Sequence, residues 1–266
     1  MRAERTIRNF VPRVDKQTIA FQLVNLRFMK KTLIGILSLM TVACLAQSPN
    51  KLSKAEKKAG FKLLFDGKTT NGWHTYNGQG IGTAWKVEDG TLKLDADARK
   101  SGATAGDIVT DAEFTNFELK YDSKIAENGN SGVMFHVVES KKYRYPWLTG
   151  PEIQVIDNER HSDSKLESHR AGSLYDLIPA QPQNANAAGQ WNSMRVVLDQ
   201  GKFTIYQNDV KVVETDMSTP QFAEMVAKSK FKSMPDFAKA ATGRFSLQDH
   251  GDTVWFRNIK IREIKH

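Results

Sequence analysis

Glu152 and Gln154 stand two residues apart in the stretch Gly150-Pro151-Glu152-Ile153-Gln154-Val155-Ile156-Asp157-Asn158. On an extended chain that spacing puts a carboxylate and an amide on one face roughly 7 Å apart, suited to gripping neighbouring atoms of one small polar ligand. Ile153 and Val155 then face the other way, towards a core. An ordinary half-solvated strand has the same pattern, so the case rests on what other runs add. In 191–199, Met194, Val196 and Leu198 alternate with Ser193 and Arg195. In 244–250, Phe245 and Leu247 alternate with Arg244, Ser246, Gln248 and His250, and His136 falls between Phe135 and Val137. These polar faces supply an acid, amides, a guanidinium and imidazoles, the groups that move protons and hold substrate oxygens. Asp157, at the end of its strand, is a candidate to orient a histidine or bind a divalent cation. Read singly, Arg195 is equally a surface ion-pair partner, His250 a turn residue beside Asp249 and Gly251, and His136 a hydrogen-bonded core histidine.

The elements that must position these groups are short. Runs of period-two alternation recur at 61–65, 84–88, 91–95, 107–110, 117–123, 131–139, 152–157, 173–177, 191–199, 203–207, 210–214, 244–249 and 253–264. Turn-forming pairs such as Asp66-Gly67, Asp89-Gly90 and Gln200-Gly201 separate several of them. That rhythm predicts an all-β sandwich of two antiparallel sheets. One segment breaks it: Thr219-Pro220, followed by apolar residues at helical spacing, predicts a short helical insertion near 219–240, closed by Pro235 and Gly243. Trp147 and Tyr175, with Trp73, Tyr76, Tyr143 and Tyr145, offer flat apolar rings able to stack on the faces of a saccharide.

Ahead of this domain the chain reads as an address. Met29-Lys30-Lys31, an apolar run from Thr32 to Leu45, and small Ala46 follow the basic, apolar and small-residue order of a signal peptide over 29–46. Residues 1–28 are an Arg-rich leader or a start assigned too early, and residues 47–58 form a polar tether before a single domain over 59–266. Cys44 is the only cysteine, so no intrachain disulfide can form. The Thr41-Val42-Ala43-Cys44 run makes Cys44 a candidate for lipid attachment, the alternative to cleavage after Ala46. The chain has 38 basic and 30 acidic residues; the first 46 residues hold eight and two of them, leaving 30 and 28, a net of +2, beyond Ala46. No basic footprint for nucleic acid remains there, and no second apolar run is long enough to cross a bilayer.

A larger resemblance is carried by motifs in order: Gly60-Phe61-Lys62-Leu63-Leu64-Phe65-Asp66-Gly67 with Gly72-Trp73, Trp85-x-Val87-x-x-Gly90-x-Leu92, and Asn130-Ser131-Gly132-Val133. Then come Gly150 to Asp157, Ala171-Gly172-Ser173-Leu174-Tyr175-Asp176-Leu177, Trp191-Asn192, Leu247-Gln248-Asp249-His250-Gly251 and Phe256-Arg257-Asn258-Ile259-Lys260. From about Gly60 to Ile264 the chain resembles the 3-keto-disaccharide hydrolase family. The resemblance implies a concanavalin A-like jelly roll, export to the periplasm or cell surface of a Gram-negative bacterium that degrades glycans, and action on glycosides already oxidised at C3. Position 136, here His136, departs from an arginine common in the family.

For such a substrate the C3 ketone acidifies the proton on C2. A base removes it, the C1 substituent leaves by elimination, and water adds back; the route needs a base near C2 and a positive or donor group at the enolate oxygen. Glu152 is the expected base or ligand contact, and His136 and His250 are the competing proton carriers. Arg195 and Gln248 would hold carbonyl and hydroxyls, Gln154 would orient the sugar, and Tyr175 and Trp147 would contact it. No motif demands a cofactor, although a divalent cation could replace Arg195 at the enolate. A non-catalytic carbohydrate-binding module is the rival reading, and an ordinary glycosidase would need two facing carboxylates.

Overall fold

The computed structural model describes residues 49–266. The expected leader, the signal peptide and Cys44 lie outside the described residues. The described residues hold thirteen strands: β1 (Lys62–Leu63), β2 (Trp73–Thr75), β3 (Trp85–Glu88), β4 (Thr91–Leu94), β5 (Ile108–Thr110), β6 (Phe117–Ile125), β7 (Asn130–Val137), β8 (Glu152–Ile156), β9 (Asn192–Asp199), β10 (Lys202–Gln207), β11 (Val210–Asp216), β12 (Arg244–Leu247) and β13 (Val254–Glu263). They form two antiparallel sheets. One has the order β11-β10-β9-β6-β13-β4-β3, with β1 also on β13; the other is β2-β5-β12-β7-β8. The all-β sandwich read from the alternation is the observed architecture.

Alternation fixes what lies between the sheets. Phe135 and Phe245 of the five-stranded sheet meet Phe203 and Phe117 of the eight-stranded one, with ring centroids 4.9 Å apart for Phe135–Phe203 and 4.7 Å for Phe117–Phe245. All four rings are nearly or fully buried, so one continuous core joins the sheets. The insertion is helix Pro220–Lys228, capped by the Thr219 hydroxyl, which accepts from Phe222 N–H, and then a 3-10 turn at Lys230–Ser233. Buried Phe222 and Phe231 anchor it, and Phe231 stacks on Phe237 at 3.8 Å. No helix among the described residues is long and apolar enough to cross a membrane.

Three local expectations change. The segment expected as a tether is docked: Asn50 exchanges hydrogen bonds with Asn258, its amide donates to the Gly90 carbonyl, and Glu56 of the short helix Lys54–Lys58 pairs with Lys260 at 2.7 Å. Residues 173–177 are not a strand, because left-handed Asp176 turns the chain so that Leu174 bridges back to Ile178. Trp73–Thr75 is a strand that the alternation missed, being only three residues long.

Candidate functional site

The outer face of the five-stranded sheet carries a cavity of about 370 Å³, lined by Asn130, Trp147, Glu152, Gln154, Tyr175, Lys230, Phe231, Met234, Gln248 and His250. That volume falls in the ordinary range for small-molecule sites. Its floor is polar and its depth comes from what covers the sheet. β8 was expected to have a wet face, yet all five of its residues are buried, Glu152 being 7% and Gln154 2% exposed. The 3-10 turn of the insertion and the Tyr175 loop bring Lys230, Phe231 and Tyr175 to the walls over them.

The fit of Glu152 depends on a missing side chain. Gly132 of β7 pairs with Gln154 and sits beside the register position of Glu152. A Cβ placed on Gly132 would lie 2.1 Å from Glu152 Oε1, so only glycine lets the carboxyl lie across the sheet. Burial pushes this carboxyl up to about 8, with Asp107 and Asp163 adding to the shift and Lys230 and the Gln248 amide opposing it. Gln248 Nε2 stands 3.5 Å from Glu152 Oε2. A carboxyl poised near neutrality in a cavity is suited to accept or give a proton.

One wall is tied down by an imidazole. Both ring nitrogens of buried His169 meet carboxylates at 2.8 Å, Asp163 on one side and Asp176 on the other. Asp163 also accepts from the Tyr175 hydroxyl at 2.9 Å, and Asp176 accepts the backbone N–H of Lys230 at 2.9 Å. The Lys230 ammonium lies 3.9 Å over the Tyr175 ring. Trp147, Phe231 and Met234 add the apolar part of the lining, and Tyr145 stacks on Trp147 at 5.1 Å. His250 is at the exposed rim, 6.3 Å from the ring of His161.

Of the residues singled out from sequence, Glu152, Gln154, Gln248, Tyr175, Trp147 and His250 therefore meet in one cavity, and three do not. His136 takes a left-handed conformation (φ 52°) where the β7–β12 register shifts, a bulge that breaks the alternation. Its ring turns among Phe117 and Phe135 and bonds the Thr115 carbonyl at 2.9 Å, and burial holds it below the usual imidazole range. Arg195 does lie on a polar face, but of the other sheet: it pairs with Glu118 at 2.7 Å, a sandwich thickness away. Asp157 turns its carboxylate to the backbone amides of Asn128, Glu159 and Arg160, which outweigh its burial and hold it below the usual range. It is a loop-capping acid rather than a wall of the cavity. Among the described residues, no group of three His, Cys, Asp or Glu side chains is placed to hold a metal ion.

Sequence reasoning missed Lys230, Phe231 and Met234, which arrive from the insertion, and Asn130, which stood in the Asn-Ser-Gly run without a role. A lysine directly after the helix-ending Ser229 was the available signal for Lys230; nothing in the spacing placed it opposite Glu152.

Residues 60–262 match the model of the 3-keto-alpha-glucoside-1,2-lyase-like domain. A 3-keto-disaccharide hydrolase of Bacteroides thetaiotaomicron is 35% identical over 227 residues, spanning 76% of this chain and 78% of that protein. A crystal structure from Parabacteroides distasonis, described as a candidate glycosyl hydrolase, superposes with a TM-score of 0.75 at 32% identity, covering 82% of this chain and all of that one. A second from the same organism gives 0.57 at 26% identity, over 77% and 99%. The motifs that converge on the cavity are thus embedded in a match that runs through the whole sandwich, and the chain belongs to the 3-keto-disaccharide hydrolase family.

Proposed function

We propose that this protein cleaves glycosides whose sugar carries a ketone at C3, by elimination across C1 and C2 followed by addition of water. The observation that carries the reading is that Glu152 is the only carboxyl among the described residues lining the cavity. Ordinary glycoside hydrolysis uses two carboxyls flanking the bond; proton abstraction beside a ketone uses one base.

In the proposed sequence Glu152 takes the C2 proton and the C2–H electrons form the C2=C3 bond of an enolate, with the charge on the C3 oxygen. As that charge collapses to re-form the C3 carbonyl, the C2=C3 electrons form the C1=C2 bond and the C1–O bond breaks. The leaving oxygen departs with the proton that Glu152 removed. Water then adds to C1, and the proton it releases passes to C2, restoring the 3-keto sugar. The Lys230 ammonium, near enough to oppose the shift of Glu152, is the cation available to the enolate oxygen. Gln154 and Gln248 orient the ring, and Trp147 offers a flat apolar surface to the sugar.

The test is release of a chromogenic leaving group from a 3-keto-glucoside, compared with the unoxidised glucoside. Cleavage of the keto substrate alone is expected, with kcat/KM rising with pH through an apparent value of about 8 as Glu152 ionises. Equal cleavage of both substrates, or a falling limb there, would sink the reading. The basic, apolar and small-residue order before Gln47 supports export; finding the full leader on the accumulated protein would argue against it.

A further inference from the structure

We infer that Asn130 and Gln248 each accept a hydrogen bond from a hydroxyl of the bound sugar, and so set which ring hydroxyls a substrate must retain. The inference rests on the reading of the cavity as a keto-glycoside site and concerns residues of that same floor.

Asn130 is 5% and Gln248 8% exposed, yet Asn130 Oδ1 and Gln248 Oε1 have no donor among the described residues. Of the buried side-chain atoms without a partner among the described residues, these two alone belong to residues lining the cavity. The backbone of each residue is held in place beside the cavity. Asn130 is pinned by its backbone N–H to Asp252 at 3.0 Å. Gln248 is held twice: its N–H donates to the Gly132 carbonyl at 2.9 Å, and its carbonyl accepts from the Ser131 hydroxyl at 2.9 Å. Glu152 faces the NH2 group of Gln248, which leaves the amide oxygen as the free end.

Gln154 makes the contrast. It is buried deeper, but its Oε1 accepts the N–H of Val155 at 3.1 Å, so it needs nothing from a ligand as an acceptor. A buried acceptor left without a donor is costly, and a site built around one rejects an analogue that cannot fill it. A 3-keto sugar has no hydroxyl at C3, so the two donors must come from among C2, C4 and C6.

The experiment uses 3-keto-glucosides with one chromogenic leaving group, intact or lacking the hydroxyl at C2, C4 or C6. They are assayed with the wild type and with Asn130→Ala, Gln248→Ala and Asn130→Asp. In the wild type, two of the three deoxy substrates should lose about 10- to 100-fold in kcat/KM. One of those losses should vanish in Asn130→Ala and the other in Gln248→Ala, while Asn130→Asp, which keeps the acceptor, should retain the wild-type pattern. Penalties that persist unchanged in both alanine variants would overturn the inference, as would a wild type indifferent to all three deletions. Failure of the proposed reaction has a different signature, no cleavage even of the intact keto-glucoside. Calorimetric titration of the same series into Glu152→Gln, which lacks the proposed base, then reads the hydroxyl requirement from binding alone, and equal affinities across it would refute the assignment.

Discussion

The two outer faces of the sandwich are built from similar residues and treat them in opposite ways. On the eight-stranded sheet the charges answer one another. Glu118 is held by Arg195 and Arg262, Asp122 by Arg257 and Asn258, and Lys124 lies between the rings of Trp191 at 5.1 Å and Trp255 at 4.3 Å. On the five-stranded sheet, Glu152, Asn130 and Gln248 are buried more deeply than Arg195 or Lys120, yet they have fewer partners. Burial without partners costs stability. Buried acceptors without partners call for an explanation, and the proposed reading supplies one in a ligand that completes them; on that reading the second face is the site and the first a scaffold.

The sharpest way to test that contrast is Glu152→Gln. Loss of the base should lower kcat/KM by about 10³-fold, within the range ascribed to general acid–base groups. The same change should stabilise the fold at alkaline pH. The folded carboxyl titrates near 8 rather than 4.5, so between those values the native state holds a proton that the unfolded chain has released, and wild-type stability falls as pH rises. The gap in unfolding free energy between variant and wild type, read from denaturation at each pH, should open from pH 5 to pH 8, reaching about 2 kcal/mol or more. Asp107, also raised, to about 7, interacts with Glu152, so its share of the difference is separated by repeating the pair in an Asp107→Asn background. A gap no wider at pH 8 than at pH 5 would show that burial does not raise the Glu152 carboxyl.

Gly132→Ala should come next. The new methyl cannot share space with the Glu152 carboxyl, so the acid must swing out of line. Because a misplaced catalytic group loses orientation as well as contact, kcat should fall about 10- to 100-fold. Unchanged kcat would mean that the carboxyl does not act from the observed position.

These contrasts also show what could be read from residues alone. Period-two alternation separated inside from outside, for Met194 against Arg195 and for Phe245 against Gln248, because a strand pleat admits only two directions. It could not say which of two outsides a residue reaches: Arg195 and Gln248 look alike in their runs, yet face opposite sides of the sandwich. Nor does a simple period survive a bulge, which is how His136 came to point among phenylalanines. The insertion was legible as a helix from Thr219-Pro220, but its landing point over β8 depends on pairings such as Asp176 with Lys230, 54 residues apart, that no local pattern encodes.

That pairing allows a milder test. In His169→Asn the clamp between Asp163 and Asp176 is cut, freeing the Tyr175 and Lys230 wall without removing any group from the cavity. KM should rise about 3- to 10-fold, the scale of one or two lost hydrogen bonds, with kcat changing less. A purely structural histidine would lower melting temperature and leave KM alone.

The smallest effect belongs to the scaffold face, and it is the one that the comparison most needs. Arg195→Ala removes a partly exposed guanidinium whose partner Glu118 still has Arg262. Solvent screening limits such a pair to about 1 kcal/mol or less. Tyr206, stacked 4.5 Å from the guanidinium, loses a cation but keeps its place in β10. Stability should therefore drop slightly, and kcat/KM on the keto-glucoside should stay within about twofold, less than the loss of one ordinary hydrogen bond. A large loss of activity would mean that the paired face reaches the chemistry, and pairing would no longer distinguish scaffold from site.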